Sequence, residues 1–155
     1  MDKAFMMEAI ALARKGVVQG DGGPFGAVVV KDGEIIGRGW NRVVGQCDPT
    51  AHAEVMAIRD AAARLGEYHL DGCDLYTSCE PCPMCLSAAY WAHIEQIFYA
   101  ASEEDAALLG FDDRFIREEL GCSPAVRRVP MRQMLRDEAL EVFAEWESSE
   151  QKKPY

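Results

Sequence analysis

An α/β layered sandwich is the fold class this sequence predicts, and three observations carry the prediction. Apolar residues recur with a helical period over 3–18, 53–65 and 131–146. Between these stretches lie short runs rich in β-branched and aromatic residues, at 25–31, 35–40, 74–77 and 94–100. Finally, 155 residues hold one substantial core, and no repeat divides the chain. Strands that alternate with helices bury their apolar faces by stacking in layers. Residues 1–147 are therefore expected to form one domain, with 148–155 as a polar tail.

The elements follow in order. Phe5, Met6, Ala9, Ile10, Leu12 and Ala13 share a face of the first helix, which Gly20, Gly22 and Gly23 end. The runs 25–31 and 35–40 are joined by Asp32 and Gly33, a pair suited to a tight hairpin. Asp48, Pro49 and Thr50 punctuate the chain before the second helix. After the strand at 74–77, Pro81 or Pro83 suits a helix start, where a missing amide donor costs little, so 82–92 reads as the third helix. The run 94–100 is a fourth strand, and the acidic stretch after it a short helix or loop. A short last strand is expected at 127–130, ahead of the final amphipathic helix at 131–146.

Composition excludes some partners. With 16 Lys and Arg against 26 Asp and Glu, the formal charge of −10 repels a phosphate backbone, so nucleic acid is disfavoured. The amino terminus carries no long apolar segment, and no run approaches the roughly 18 apolar residues of a membrane helix. A cytoplasmic location is expected. The six cysteines then read as reduced thiols and metal ligands rather than disulfides. Cys47, Cys73, Cys79 and Cys122 have no ligand spacing and are read as bland.

The chemistry sits in two short segments. His52, Ala53 and Glu54 are separated by 26 residues from Pro81, Cys82, Pro83, Met84 and Cys85. Cys82 and Cys85 are about one helical turn apart, so their sulfurs can face one point, and the positive end of a helix favours their thiolates. His52 supplies a third ligand for zinc. A structural site would want a fourth protein ligand; here that place is left for water, and Glu54 is the base that could take its proton. Two thiolates cancel the formal charge of the ion, so an adjacent base matters more. Residues two apart on a helix point roughly 200° away from each other, so His52 must precede the helix or cap it. Histidine, glutamate and the Pro-Cys-x-x-Cys run together make the signature of zinc-dependent base deaminases. The plainer alternatives are a structural zinc knuckle, or a redox cysteine pair with His52 and Glu54 elsewhere.

At these residues the chain resembles the cytidine deaminase-like superfamily, and within it the short bacterial guanine deaminases. The likeness runs through Gly22 to Ala27, Asp48 to Glu54, Tyr76 to Leu86, Tyr90 to Ala92, Gly110 to Ile116 and the tail ending in Tyr155. It implies a three-layer α/β/α sandwich with a mixed sheet of about five strands. It also implies one catalytic zinc per subunit on His52, Cys82 and Cys85, with Glu54 shuttling protons as water displaces the amine at C2 of guanine. Xanthine and ammonia would result. Asn41 and Ala53 would bind the base, the alternative for Asn41 being a strand-end cap. Guanine offers donors at N1 and N2, so an acceptor near the reacting carbon is wanted, and Asp113 is the candidate; it could instead cap a helix beginning near Arg114. Phe25 is either a wall for the purine or a core aromatic, and Trp91 either pocket lining or core. The resemblance further implies a homodimer in which the tail is exchanged and Tyr155 seals a partner's pocket.

Rival activities share the zinc motif. A tRNA adenosine deaminase needs cationic surface, whereas the last predicted helix carries Asp137, Glu138, Glu141, Glu145 and Glu147. Arg127, Arg128, Arg132 and Arg136 read as partners of those acids on a solvated face. Guanosine, an aminotriazine such as ammeline, or cytosine would need only a different pocket, and a non-enzymatic zinc module would need neither Glu54 nor an open ligand position.

Overall fold

The structure is a computed structural model that describes residues 2–155. The chain divides into two compact units at Asp113 and Arg114, ahead of the tail boundary expected at 147. In the first unit, α1 (Lys3–Gln19) is opened by Asp2, whose carboxylate accepts the Ala4 N–H, and closed by Gly20 at φ 71°. The hairpin of β1 (Gly26–Lys31) and β2 (Glu34–Trp40) turns on Asp32 and Gly33 with φ of 50° and 80°, the two positive angles of the predicted tight turn. Then come α2 (Val43–Gln46), α3 (Ala53–Leu65), β3 (Cys73–Cys79), α4 (Pro83–Trp91), β4 (Gln96–Ala101) and α5 (Glu103–Leu108).

Four strands form one mixed sheet in the order β2-β1-β3-β4. β1 runs antiparallel to β2 and to β3, while β3 and β4 are parallel and joined across α4. Alternate residues of β1 face opposite layers. Ala27 and Val29 pack with Ala53, Ala57, Ala61 and Ala89 of α3 and α4, and Val28 and Val30 pack with Leu12 of α1. The first unit is thus the expected α/β/α sandwich. The alanine stripe of α3 has a counterpart in β2: a Cβ on Gly39 would collide with the Ala53 carbonyl and one on Gly37 with the Ala57 carbonyl. Helix and strand backbones therefore meet directly, which fixes the start of α3 relative to the sheet.

The second unit, Arg114–Tyr155, contains α6 (Arg114–Gly121), a 3₁₀ turn (Pro124–Val126) and α7 (Arg136–Ser148). None of these elements has a buried residue. The strand expected at 127–130 does not form, so the sheet of the described residues has four strands rather than about five. Local groups take its hydrogen bonds: the Arg128 N–H donates to a Glu119 carboxylate oxygen at 2.7 Å, and the Arg127 side chain donates to the carbonyls of Glu119, Leu120 and Cys122. Pro130 has no N–H to offer a ladder. The last helix begins at Arg136 rather than at 131, behind Leu135 at φ 52°. Among the described residues no helix is long and apolar enough to cross a membrane.

Candidate active site

Two helix starts meet at one point. His52 is the N-cap residue of α3, with extended backbone (φ −72°, ψ 156°), so its ring leaves the axis as the two-residue spacing to Glu54 requires. Cys82 is the N-cap residue of α4 (φ −64°, ψ 165°), and Pro83 follows it in the first turn. The His52 Nδ1 lies 3.6 Å from Cys82 Sγ and 3.5 Å from Cys85 Sγ. One ligand atom from each of the three residues falls within 4.8 Å of the others.

These spacings fit zinc. Tetrahedral bonds of about 2.05 Å to nitrogen and 2.3 Å to sulfur place a ligand nitrogen and sulfur about 3.6 Å apart. One borderline imidazole and two thiols complete a chemically suitable set.

The electrostatics agree. The Cys85 thiol donates to the Cys82 sulfur, which holds the Cys82 thiol down to about 4 against the opposing effect of burial, with His52 adding to the stabilisation. The same hydrogen bond pushes the Cys85 thiol well up, and burial adds to it. His52 is raised chiefly by its hydrogen bond to Cys82. Glu54, 6% exposed in the first turn of α3, is raised by burial. A proton held among these groups marks a point of high negative potential, where a divalent cation is stabilised and both sulfurs can become thiolates.

A cavity of about 570 Å³ opens over the cluster, lined by His52, Glu54 and Cys82 and by Phe25, Asn41 and Asp113. That volume suits a small organic ligand. Asn41 is 5% exposed, and its Oδ1 accepts the N–H groups of Gly23 at 3.3 Å and Val43 at 3.2 Å. With its oxygen committed to the chain, Asn41 has its amide Nδ2 left to donate. Gly22 is required beside it, because a Cβ there would strike Asn41 Oδ1. The Phe25 ring meets Phe111 edge to face, with centroids 5.0 Å apart, and packs on the core while also lining the cavity.

Sequence reasoning missed several lining residues. Glu80 and Glu103 line the cavity together, with a Glu80 carboxylate oxygen accepting the Glu103 N–H at 3.2 Å. Cys79, read as bland, also lines it; its thiol donates to the Ser102 carbonyl, and burial pushes it up to about 11. The available signal was adjacency, since Cys79 and Glu80 directly precede the Pro-Cys-Pro-x-Cys run at the end of β3.

Other expected site residues, the ligand Cys85 included, are not part of the cavity lining. Cys85 is fully buried, and so is Ala53, whose side chain belongs to the core rather than the cavity lining. Trp91 is 68% exposed, which excludes the core. Cys85 and Ala89 set the buried face of α4, and a residue two beyond Ala89 points roughly 200° away from it. Tyr155 is exposed in the second unit.

Comparison with known proteins bears on this arrangement. The cytidine and deoxycytidylate deaminase zinc-binding region matches residues 1–101, which include all three candidate ligands and Glu54. A guanine deaminase of Bacillus subtilis is 53% identical over 153 residues, 99% of this chain and 98% of that protein. The X-ray structure of guanine deaminase from that organism superposes with a TM-score of 0.95 at 52% identity, covering 100% of this chain and 99% of the other. A guanine deaminase structure from Nitrosomonas europaea gives a TM-score of 0.68 at 37% identity, over 73% of this chain and 65% of that one. A tRNA-specific adenosine deaminase of Aquifex aeolicus is 41% identical over 64% of this chain and 66% of its own length. With the family region spanning the whole cluster and these likenesses around it, the chain belongs to the zinc-binding cytidine and deoxycytidylate deaminase family.

Proposed function

We propose that the protein deaminates guanine hydrolytically, giving xanthine and ammonia, with zinc held by His52, Cys82 and Cys85. The observation that carries the reading is a near full-length likeness to a guanine deaminase, joined to a buried carboxyl beside a three-ligand zinc cluster. When bound, zinc supplies Lewis acidity that makes water a nucleophile near neutral pH. Glu54 takes a proton from that water at its carboxylate and passes it to the ring nitrogen next to C2. The water oxygen bonds to C2; Glu54 then takes the remaining proton from that oxygen and delivers it to the amine as the C2–N2 bond breaks, so that ammonia leaves and C2 keeps a carbonyl oxygen.

Specificity comes from the walls. Asn41 Nδ2 donates to an acceptor on the base edge, since its Oδ1 is held by Gly23 and Val43. Asp113, half-buried at the cavity, accepts from the N1 and N2 donors that distinguish guanine from cytosine and adenine. Phe25 lies along the purine face. Ala53 contributes through its backbone, as its side chain is in the core. Steady-state xanthine formation from guanine, set beside guanosine, ammeline, cytosine and an adenosine-bearing tRNA anticodon stem, tests the substrate; turnover confined to a different member of that panel would replace guanine.

The working unit in this reading is a homodimer in which the carboxy-terminal tail, 148–155, is exchanged. Its support is the second unit itself: α7 buries nothing, yet carries Leu140 (38% exposed), Phe143 (67%) and Trp146 (46%). Such a surface calls for a cover. Tyr155 then closes a partner's cavity. Removal of residues 148–155 should change the Michaelis parameters for guanine, and unchanged kcat and KM would end this part of the reading. Six free cysteines, two of them zinc ligands, accord with a reducing, cytoplasmic location.

A further inference from the structure

A second set of metal-ligating atoms converges where the chain leaves α3 and α4. Leu70 is fully buried, and its N–H donates to the Ala92 carbonyl at 2.7 Å. His69 and Asp71 flank Leu70, and His93 follows Ala92, so one backbone hydrogen bond gathers three ligand side chains that sequence spacing keeps apart. The rings of His69 and His93 stack with centroids 3.9 Å apart and planes 14° from parallel. His93 Nδ1 lies 3.1 Å from Asp71 Oδ1. One ligand atom from each of the three residues falls within 4.8 Å of the other two.

The His69 Nε2 points to what is wanted there. It is buried and has no hydrogen-bond partner among the described residues. A buried polar nitrogen without a partner is unfavourable, and in the tautomer that leaves its lone pair free a cation held there would satisfy it. The scaffold around it is fixed: the Cys73 N–H donates to the Leu70 carbonyl at 3.1 Å, the His93 N–H to the Tyr90 carbonyl at 3.1 Å, and Lys31 Nζ to the Asp71 carbonyl at 3.0 Å. His93 itself sits at φ 58°, a left-handed conformation held in place by that scaffold.

We propose that His69, Asp71 and His93 form a second metal site for a divalent ion of the imidazole-preferring class, with zinc as its ligand. Two imidazoles and one carboxylate select such ions over calcium or magnesium, which favour all-oxygen shells. Solvent completes the coordination, and the absence of thiolates makes this site weaker than the His52 cluster. A bound ion ties the connection after α3 to the end of α4. Those two helices carry His52, Glu54, Cys82 and Cys85 at their opposite ends, so the effect is on rigidity rather than on the reaction.

Equilibrium dialysis of the full-length protein against micromolar zinc, followed by metal analysis and thermal melts, decides the matter. Wild type should take up two zinc ions per chain, with Tm rising by roughly 5 °C or more as zinc exceeds the second dissociation constant a hundredfold. His93→Asn, chosen because asparagine tolerates a positive φ, should keep one ion and lose that rise. Asp71→Asn, at an exposed position that leaves the core intact, should weaken the second uptake at least tenfold. Uptake of a single ion by wild type, or identical titrations for wild type and both variants, would overturn the proposal.

Discussion

Replacing Glu54 by glutamine removes the proton shuttle and leaves its volume in place. Glu54 is 6% exposed, one residue into α3, and its carboxylate accepts a hydrogen bond from its own N–H. An amide oxygen can still accept that bond, but the amide can neither take a proton from water nor return one to the amine. Loss of a positioned general acid and base costs about 10²- to 10⁴-fold in kcat, or roughly 3 to 5.5 kcal/mol of transition-state stabilisation. Because burial already disfavours the ionised carboxyl, the neutral amide should not destabilise the fold. The assay pairs kcat for guanine with zinc content and Tm on the same preparation. Expected are one tightly held zinc per chain, an unchanged or higher Tm, and a kcat lowered by at least two orders of magnitude. A kcat within tenfold of wild type would remove Glu54 from the mechanism, and loss of zinc would make it a ligand or a structural support instead.

Three further outcomes follow from the same geometry. Gly22→Ala drives a Cβ into Asn41 Oδ1 and should disturb the amide that faces the cavity, raising KM for guanine at least tenfold while zinc content holds; an unchanged KM would remove Asn41 from substrate binding. Asp113→Ala should lower kcat/KM for guanine by an amount corresponding to about 2 to 5 kcal/mol, with a Tm within a few degrees of wild type, and a purely structural Asp113 would reverse that pattern. Cys79, pushed up to about 11 by burial, should resist iodoacetamide at pH 8 in the folded protein, whereas exposed Cys47 reacts; mass mapping of the labelled thiols distinguishes them.

Much of this was legible where a feature is local. Asp32 and Gly33 announced the hairpin because their residue types suit its positive φ angles. The helix Ala53–Leu65 was bounded correctly because Pro49 and Thr50 precede it and Gly66 follows it in a left-handed cap. The zinc cluster was readable because each of its two parts lies within four residues at a helix start. What failed depended on distant partners. Residues 127–130 have strand-like composition, but Glu119 captures the Arg128 N–H before any ladder can. Trp91 looked like core by residue type, and only the burial of Cys85 and Ala89 fixes it on the outer face of α4. The meeting of Glu80 with Glu103, and of His69 with His93, rests on contacts more than 20 residues apart that no spacing rule contains.

The most direct measurement is guanine turnover as metal-free protein is titrated with zinc under reducing conditions. The account predicts no activity without metal, a rise in ammonia and xanthine in equal amounts through the first zinc per chain, and a plateau beyond it. Glu54→Gln should bind that first zinc equally well and stay inactive throughout. Turnover by metal-free protein, or a zinc-saturated chain that releases no ammonia from guanine, would contradict it.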